Sequence, residues 1–353
     1  MSWAGALLSG LALSIVAGAA SAHLAVSTRS LSMLLSDADL VVVAEPLVKD
    51  AGTGAAGASR EVVRARVLEV LKGPKPAGEL RFAQHGHGVA EYSKGQIALL
   101  FLRRIDRSRE LANLADEVEW YSTQERDDAY RMSPKERSKT IELAKAYLRA
   151  AKQPAAARTS ALGRVTVRML TSNDPRLVES ALHDLVMQPN VPLITEKDVP
   201  ALLRVVRGGS LPIGSRLALL SQLQSRGLVD GTREWVTLLR STSGSDQRAV
   251  VRASKNQSSE AVTKTLLDLL RHGQPPVAAE AAGALGRPGS DVAVDALEDA
   301  ALNRPAPIGK ASVRSLGGIR TPAAYAALSK IATTAPDESV RKRASAELRK
   351  LGE

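Results

Sequence analysis

Between Glu260 and Leu351 a single pattern of small and aliphatic residues returns every 31 positions. Ala261, Val292 and Ala323 keep step, as do Leu266, Leu297 and Leu328, and Leu269, Ala300 and Ile331. A second set follows each first set: Val277 and Ile308, Ala282 and Val313, Leu285 and Leu316. Repetition at a period of roughly 20 to 50 residues marks a solenoid or array. Each unit holds two short amphipathic segments, so it is expected to form a helix hairpin that buries its apolar faces only by stacking on its neighbours. Aromatic residues are 3% of the chain against 44% apolar residues in all, which leaves burial to Ala and Leu, as small, closely packed helices require.

Upstream the same spacing continues less regularly. Pairs of segments at 162–170 with 177–186, 199–206 with 213–223, and 232–239 with 246–254 bring the expected number of hairpins to six. Asn173-Asp174-Pro175 is a start signal for the second helix of the first pair, and Trp235 and Leu238 stand 31 before Leu266 and Leu269. The second helix of the third pair is the weakest, with Ser254 where later units carry Leu285 and Leu316. Ahead of the array, Ser133-Pro134-Lys-Glu136 combines an N-cap, a proline at the first helical position and the glutamate of a capping box. Ile141, Ala144, Tyr147 and Leu148 then form one apolar stripe, Pro154 ends the helix, and 152–157 is the expected hinge. The predicted organisation is a leader at 1–22, a β-rich domain at 23–132, a connector and capping helix with its hinge at 133–157, and a helical repeat domain at 158–353.

The second-helix sequences Val277-Ala-Ala-Glu-Ala-Ala-Gly-Ala-Leu-Gly286, Ile308-Gly-Lys-Ala-Ser-Val-Arg-Ser-Leu-Gly317 and Val340-Arg-Lys-Arg-Ala-Ser-Ala-Glu-Leu-Arg349 resemble the short bacterial type of HEAT repeat. The resemblance spans about 200 residues and implies an α-α superhelix that serves as a protein-binding surface. HEAT-like enzymes such as bilin lyases and hydroxylases rely on clustered His and acidic residues, whereas this array holds only His183 and His272, in different units.

The segment at 39–48 is a β-branched run, 62–70 alternates as a half-buried strand, and 79–84, 96–102 and 118–121 complete five short strands separated by turn residues. They predict a small antiparallel barrel. Ala38-Asp-Leu-Val-Val42, then Val67-Leu-Glu-Val-Leu-Lys-Gly73, then Lys94-Gly-Gln followed by Leu99-Leu-Phe-Leu102 resemble a module of exported bacterial proteins related to netrin-type OB barrels. That likeness implies a binding barrel with no catalytic residue. The disulfides of the animal members are missing, because the chain has no cysteine. Gly52-Thr-Gly54-Ala-Ala-Gly57 fits G-x-G-x-x-G, but a β-branched stretch follows it and Pro46 interrupts the run before it, so it reads as a loop and not as a dinucleotide turn.

Residues 1–22 carry no charged side chain, and 7–17 has the length of a signal-peptide core. Ala20-Ser21-Ala22 supplies a small-residue cleavage pattern before His23, so the chain is expected to be exported, to the periplasm or beyond. The n-region has no Lys or Arg, which leaves an uncleaved anchor as the alternative.

The net charge is +11 and unevenly spread: 28 basic against 19 acidic residues from Lys152 onward, 20 against 18 before it. Such a surface suits a protein partner or an anionic envelope component. Arg248, Arg252, Lys310 and Arg314, on corresponding second helices, are the expected partner-binding residues. No cofactor, catalytic set or metal site is expected. Two other readings stay open. A basic nucleic-acid-binding protein like the HEAT-like alkylpurine glycosylases would use Trp235 and Asp230 in its groove, although no aromatics interleave with the charges. A metal-dependent hydrolase would use His85 and His87, one residue apart, with Glu91 near.

Overall fold

A computed structural model describes residues 29–51, 61–84, 92–93, 95–107, 118–122 and 129–352. They divide into two compact units, the first ending at Leu202 and the second beginning at Leu203. The expected leader at 1–22, the run at 52–57 read as a loop, and His85, His87 and Glu91 lie outside the described residues.

In the first unit a short helix, α1 Leu31–Asp37, precedes strands β1 Leu40–Ala51, β2 Glu61–Lys72, β3 Leu80–Gln84, β4 Ile97–Arg104, β5 Trp120–Ser122 and β6 Ala129–Met132. The strands run β1-β2-β3-β5-β4, and β4 returns to β1 through the pairs from Leu40 with Leu102 to Ala44 with Ala98. Five strands thus close a barrel, antiparallel except at β3–β5. The sixth, β6, takes the first half of the same β4 edge that β5 occupies at its end. Sequence periodicity misses β6 because it has only four residues and runs directly into a helix start. Pro46 does not interrupt β1. The strand passes through it with a register shift between Pro46 and Val48, the kind of irregular pairing that tolerates a missing N–H.

Leu40, Val42, Ala44, Val63, Phe82, Leu100 and Trp120 fill the barrel. Val41, Val43, Leu99 and Phe101 point the other way and are equally buried, with Phe101 edge-on to Tyr130. Cover on both faces is why β1 and β4 read as continuous apolar runs and do not alternate. The motif ending in Lys72-Gly73 has a structural task. Lys72 Nζ donates to the carbonyls of Leu35 and Ser36 at 2.9 Å each, closing the C-terminus of α1. Gly73 has φ +90°, and a Cβ there would fall 2.4 Å from the carbonyl oxygen of Asp39. Only glycine satisfies both constraints.

Helices α2 Pro134–Ala151, α3 Ala155–Leu170 and α4 Pro175–Met187 belong to the same unit. The capping box is present at Ser133 and Glu136, and Asp174 caps α4 by accepting from Arg176 and Leu177. Pro154 begins α3 as its N-cap, so the expected hinge at 152–157 shortens to the three residues between α2 and α3. Helix α1 lies against β4, α2 and α4. The junction is polar: Leu31 N donates to Ser180 Oγ at 2.7 Å, Ser32 donates to Asp184, and the Arg176 guanidinium stands 4.2 Å from the centre of the Tyr130 ring. Burial pushes the Tyr130 phenol up to about 12.

The second unit begins within α5 Val199–Arg207 and continues as α6 Ile213–Ser225, α7 Thr232–Ser241, α8 Gly244–Ala253, α9 Glu260–His272, α10 Pro275–Leu285, α11 Val294–Asn303, α12 Ala306–Ile319, α13 Pro322–Thr334 and α14 Glu338–Gly352. Helices α7, α9, α11 and α13 contact one another in order and form one layer; α6, α8, α10, α12 and α14 form the other. The 31-residue repeat is therefore a two-layer α-α array of hairpins, as expected. Helix α8, expected to be poor, forms in full and ends in a 3-10 turn at Ser254–Asn256. Ser254 is completely buried and donates to the Val251 carbonyl at 2.8 Å, which removes the penalty of a hydroxyl in the leucine position.

Two outcomes are expected. Gly73→Ala lowers stability by about 1–3 kcal/mol in urea unfolding, whereas Gly78→Ala, where a Cβ meets nothing within 4 Å, changes it by less than ~0.5 kcal/mol. At Asp184, burial holds the carboxyl above its usual range despite the hydroxyls of Ser30 and Ser32. The native state then binds this proton more readily than the unfolded chain. The contribution is fullest below the ordinary carboxylate pKa and is lost as pH rises through the raised value. Asp184→Asn, which keeps a carbonyl acceptor but cannot ionise, is expected to flatten that decline in urea midpoints measured from pH 4 to 7.

Candidate partner-binding surface

The second-helix layer of the array exposes a short, repeated set of positions. In α8 they are Arg248 and Arg252; 31 residues on, in α10, they are Ala279 and Gly283; 62 residues on, in α12, they are Lys310 and Arg314. The four basic side chains are all exposed. Helix α10 packs directly between α8 and α12, so the two basic pairs flank it. Glu280 of α10 accepts from both Arg248, at 3.5 Å, and Arg252. Lys310 and Arg314 form no ion pair among the described residues; Lys310 adds a small downward pull on the Asp337 carboxyl, whose lowering is due mainly to the Ser339 hydroxyl. The structure therefore places the four candidates on one layer in two equivalent rows. The sequence reading missed Glu280, which ties one row to α10, and the bare Ala279 and Gly283 between the rows. The 31-residue spacing carried the signal for the last two. The Glu280 pairing required knowledge of which helices are neighbours.

Other arginines of this unit are structural. A helix leaves its last carbonyls without intrahelical donors, and the guanidinium fork can serve two at once. Arg216 donates to the Val206 and Arg207 carbonyls at 2.7 and 3.3 Å, closing α5. Arg304 does the same for Arg271 and Gly273 after α9, at 2.7 and 3.2 Å. Arg341 reaches the Ala335 and Pro336 carbonyls after α13. A share of the positive charge is thus consumed as helix closure, within a hairpin for Arg216 and Arg341 and between successive hairpins for Arg304.

The residues invoked for nucleic-acid binding are placed differently from that expectation. Trp235 is 2% exposed, and its indole N–H donates to Gln224 Oε1 at 2.8 Å. The Asp230 carboxylate accepts from Thr232. His183 lies in the first unit beside Asp184 and His272 at the end of α9 in the second. Among the described residues no three His, Cys, Asp or Glu side chains gather in a metal-binding group. No described helix is long and apolar enough to cross a membrane. On the barrel, a groove beside β1 and β2 exposes Leu47 and Leu68, and its carboxylates Glu69 and Glu79 face Lys145 and Arg64.

The two kinds of basic residue are expected to separate in mutagenesis. Arg304→Met removes both carbonyl contacts and lowers stability by about 1–3 kcal/mol. Lys310→Met, which removes an exposed charge, changes it by less than ~0.5 kcal/mol. Thermal or urea unfolding of the full chain measures both.

Residues 232–312 match the family model described as HEAT repeats. The match runs from the start of α7 into α12 and includes Arg248, Arg252 and Lys310, with Arg314 just beyond it. No curated protein matches the chain. A HEAT-repeat segment thus lies at the centre of the array that carries the basic rows.

Proposed function

We propose that the chain is an exported, non-enzymatic scaffold that binds a protein partner on the second-helix layer, through Arg248, Arg252, Lys310 and Arg314. The observation that carries this reading is the recurrence of exposed basic side chains at repeat-equivalent positions within and beside the HEAT-repeat segment. HEAT repeats suggest a helical scaffold for protein interaction. The rows differ from the structural arginines in that no backbone carbonyl holds them, so their charge is available to a partner. Helices α6, α8, α10, α12 and α14 carry no aromatic residue, and Trp235, in the other layer, is buried, so the second-helix layer lacks the stacking platform that single-stranded nucleic acid would use. Export rests on the leader at 1–22 and its cleavage pattern before His23. An anionic envelope component would meet the same rows.

The test is a pull-down from an envelope fraction with the full chain and with a variant carrying Arg248→Glu, Arg252→Glu, Lys310→Glu and Arg314→Glu. The specific protein recovered by the wild type is expected to be lost at least tenfold in the variant, while its melting temperature stays within a few degrees. Unchanged recovery overturns the assignment of the surface. Recovery of nucleic acid alone, released by salt, overturns the scaffold reading itself. Mass spectrometry of the chain isolated from cells, with a new N-terminus at His23, checks the export.

A further inference from the structure

The two basic rows do not form a continuous ridge, and the gap between them has a definite shape. Helix α10 presents Ala279 and Gly283 where α8 and α12 present Arg or Lys. A Cβ built on Gly283 meets nothing within 4 Å, so the helix surface there is open. Neighbouring helices in such packing stand about 8–10 Å apart, which sets α8 and α12 roughly 16–20 Å from each other across α10. A helix with its side chains is about 10–12 Å wide. The gap matches one helix laid along α10. Within each row the two cations are four residues apart, about one helical turn.

We infer that this notch seats an amphipathic helix of the protein partner, with a narrow face of small apolar residues on Ala279 and Gly283 and with carboxylates one turn apart on both flanks. Charge complementarity selects that occupant. A flank facing α8 meets Arg248 and Arg252, and the opposite flank meets Lys310 and Arg314. A segment acidic on one side only satisfies half of them. Glu280 already holds Arg248 and Arg252 in the free protein, so it acts as an internal competitor whose place the partner's carboxylates take. This inference rests on the proposed protein-binding role of the same layer and adds the shape and charge pattern of what binds.

The probe is a fluorescein-labelled synthetic helical peptide with Glu pairs at i and i+4 on both flanks of an Ala/Leu stripe. The comparator has the same composition, with all the glutamates on the face opposite the stripe. Fluorescence anisotropy with the full chain is expected to show at least tenfold tighter binding of the first peptide. Gly283→Leu, whose Cβ meets nothing within 4 Å and whose branches project into the notch, is expected to weaken it at least tenfold. Gly283→Ala, which adds one methyl, has a smaller effect and confirms by its melting temperature that the helix tolerates substitution. Glu280→Gln, which releases the arginines, is expected to tighten binding several-fold. Equal binding of the two peptides, an unaffected Gly283→Leu variant, or no binding of either peptide overturns the notch. If the four-site charge reversal still abolishes capture of the natural partner in that case, the basic surface stands and only its shape is wrong. If the reversal leaves capture intact as well, both readings fall.

Discussion

The array depends on how closely its second helices can approach. At Gly286 an added Cβ would fall 2.7 Å from the Cβ of Ser315; at Gly309 it would meet the Ala301 carbonyl at 3.2 Å and Val340 at 3.0 Å; at Gly317 it would press on Glu347 at 3.1 Å. Ser315 uses that closeness to donate to the Ala282 carbonyl at 2.8 Å, a side-chain bond from α12 into the backbone of α10. A hairpin of two short, alanine-rich helices buries little by itself. Stacking against the next hairpin supplies the missing apolar contact, and small residues at the crossing let dispersion act over the whole interface. The low aromatic content follows from the same requirement. Large rings on the second helices would hold the hairpins apart.

Close stacking also decides which positions are left for a partner. Once Val277, Ala278, Ala281, Ala282 and Leu285 of α10 are buried, Ala279, Glu280 and Gly283 are what its outer face can show. The same geometry leaves Arg248 and Arg252 on α8, and Lys310 and Arg314 on α12. The basic excess then divides into two populations with different physics. Arg216, Arg304 and Arg341 are held by carbonyls at helix ends, where the backbone dipoles favour a cation. The outward rows are exposed, and Glu280 pairs with one of them only. A net charge of +11 is therefore partly architecture and partly surface.

The barrel shows the complementary case, in which conspicuous motif residues serve the fold. Lys72 and Gly73 clasp the end of α1 against the start of β1, and Ser30, Ser32, Ser180 and Asp184 join α1 to α4 through a buried polar junction. The cost of placing a carboxylate there is seen in its raised pKa. Buried polar networks of this sort rigidify a junction when each member is satisfied. The first helical hairpin and the barrel accordingly form one compact unit.

Much of this was legible in the sequence. The 31-residue period specified two helices per unit because apolar side chains must recur with the helical turn and with the stacking repeat together. Caps at Ser133 and Asp174 and the apolar runs at 40–44 and 98–102 were equally local signals. Strand β6 was not, since four residues carry no usable periodicity; nor was the path of β1 through Pro46, since a register shift belongs to the partner strand as much as to the proline. Of the candidate surface, the sequence determined that Arg248, Arg252, Lys310 and Arg314 occupy equivalent helices. Only the tertiary structure decided that Arg304 and Arg341 serve helix ends, that Trp235 is core, and that Glu280 stands between the basic rows. Arg304 and Glu280 make contacts about 30 positions along the chain, which packing sets and no local pattern does. The nearer contacts of Arg341 and Trp235 form only once the paired helices have docked.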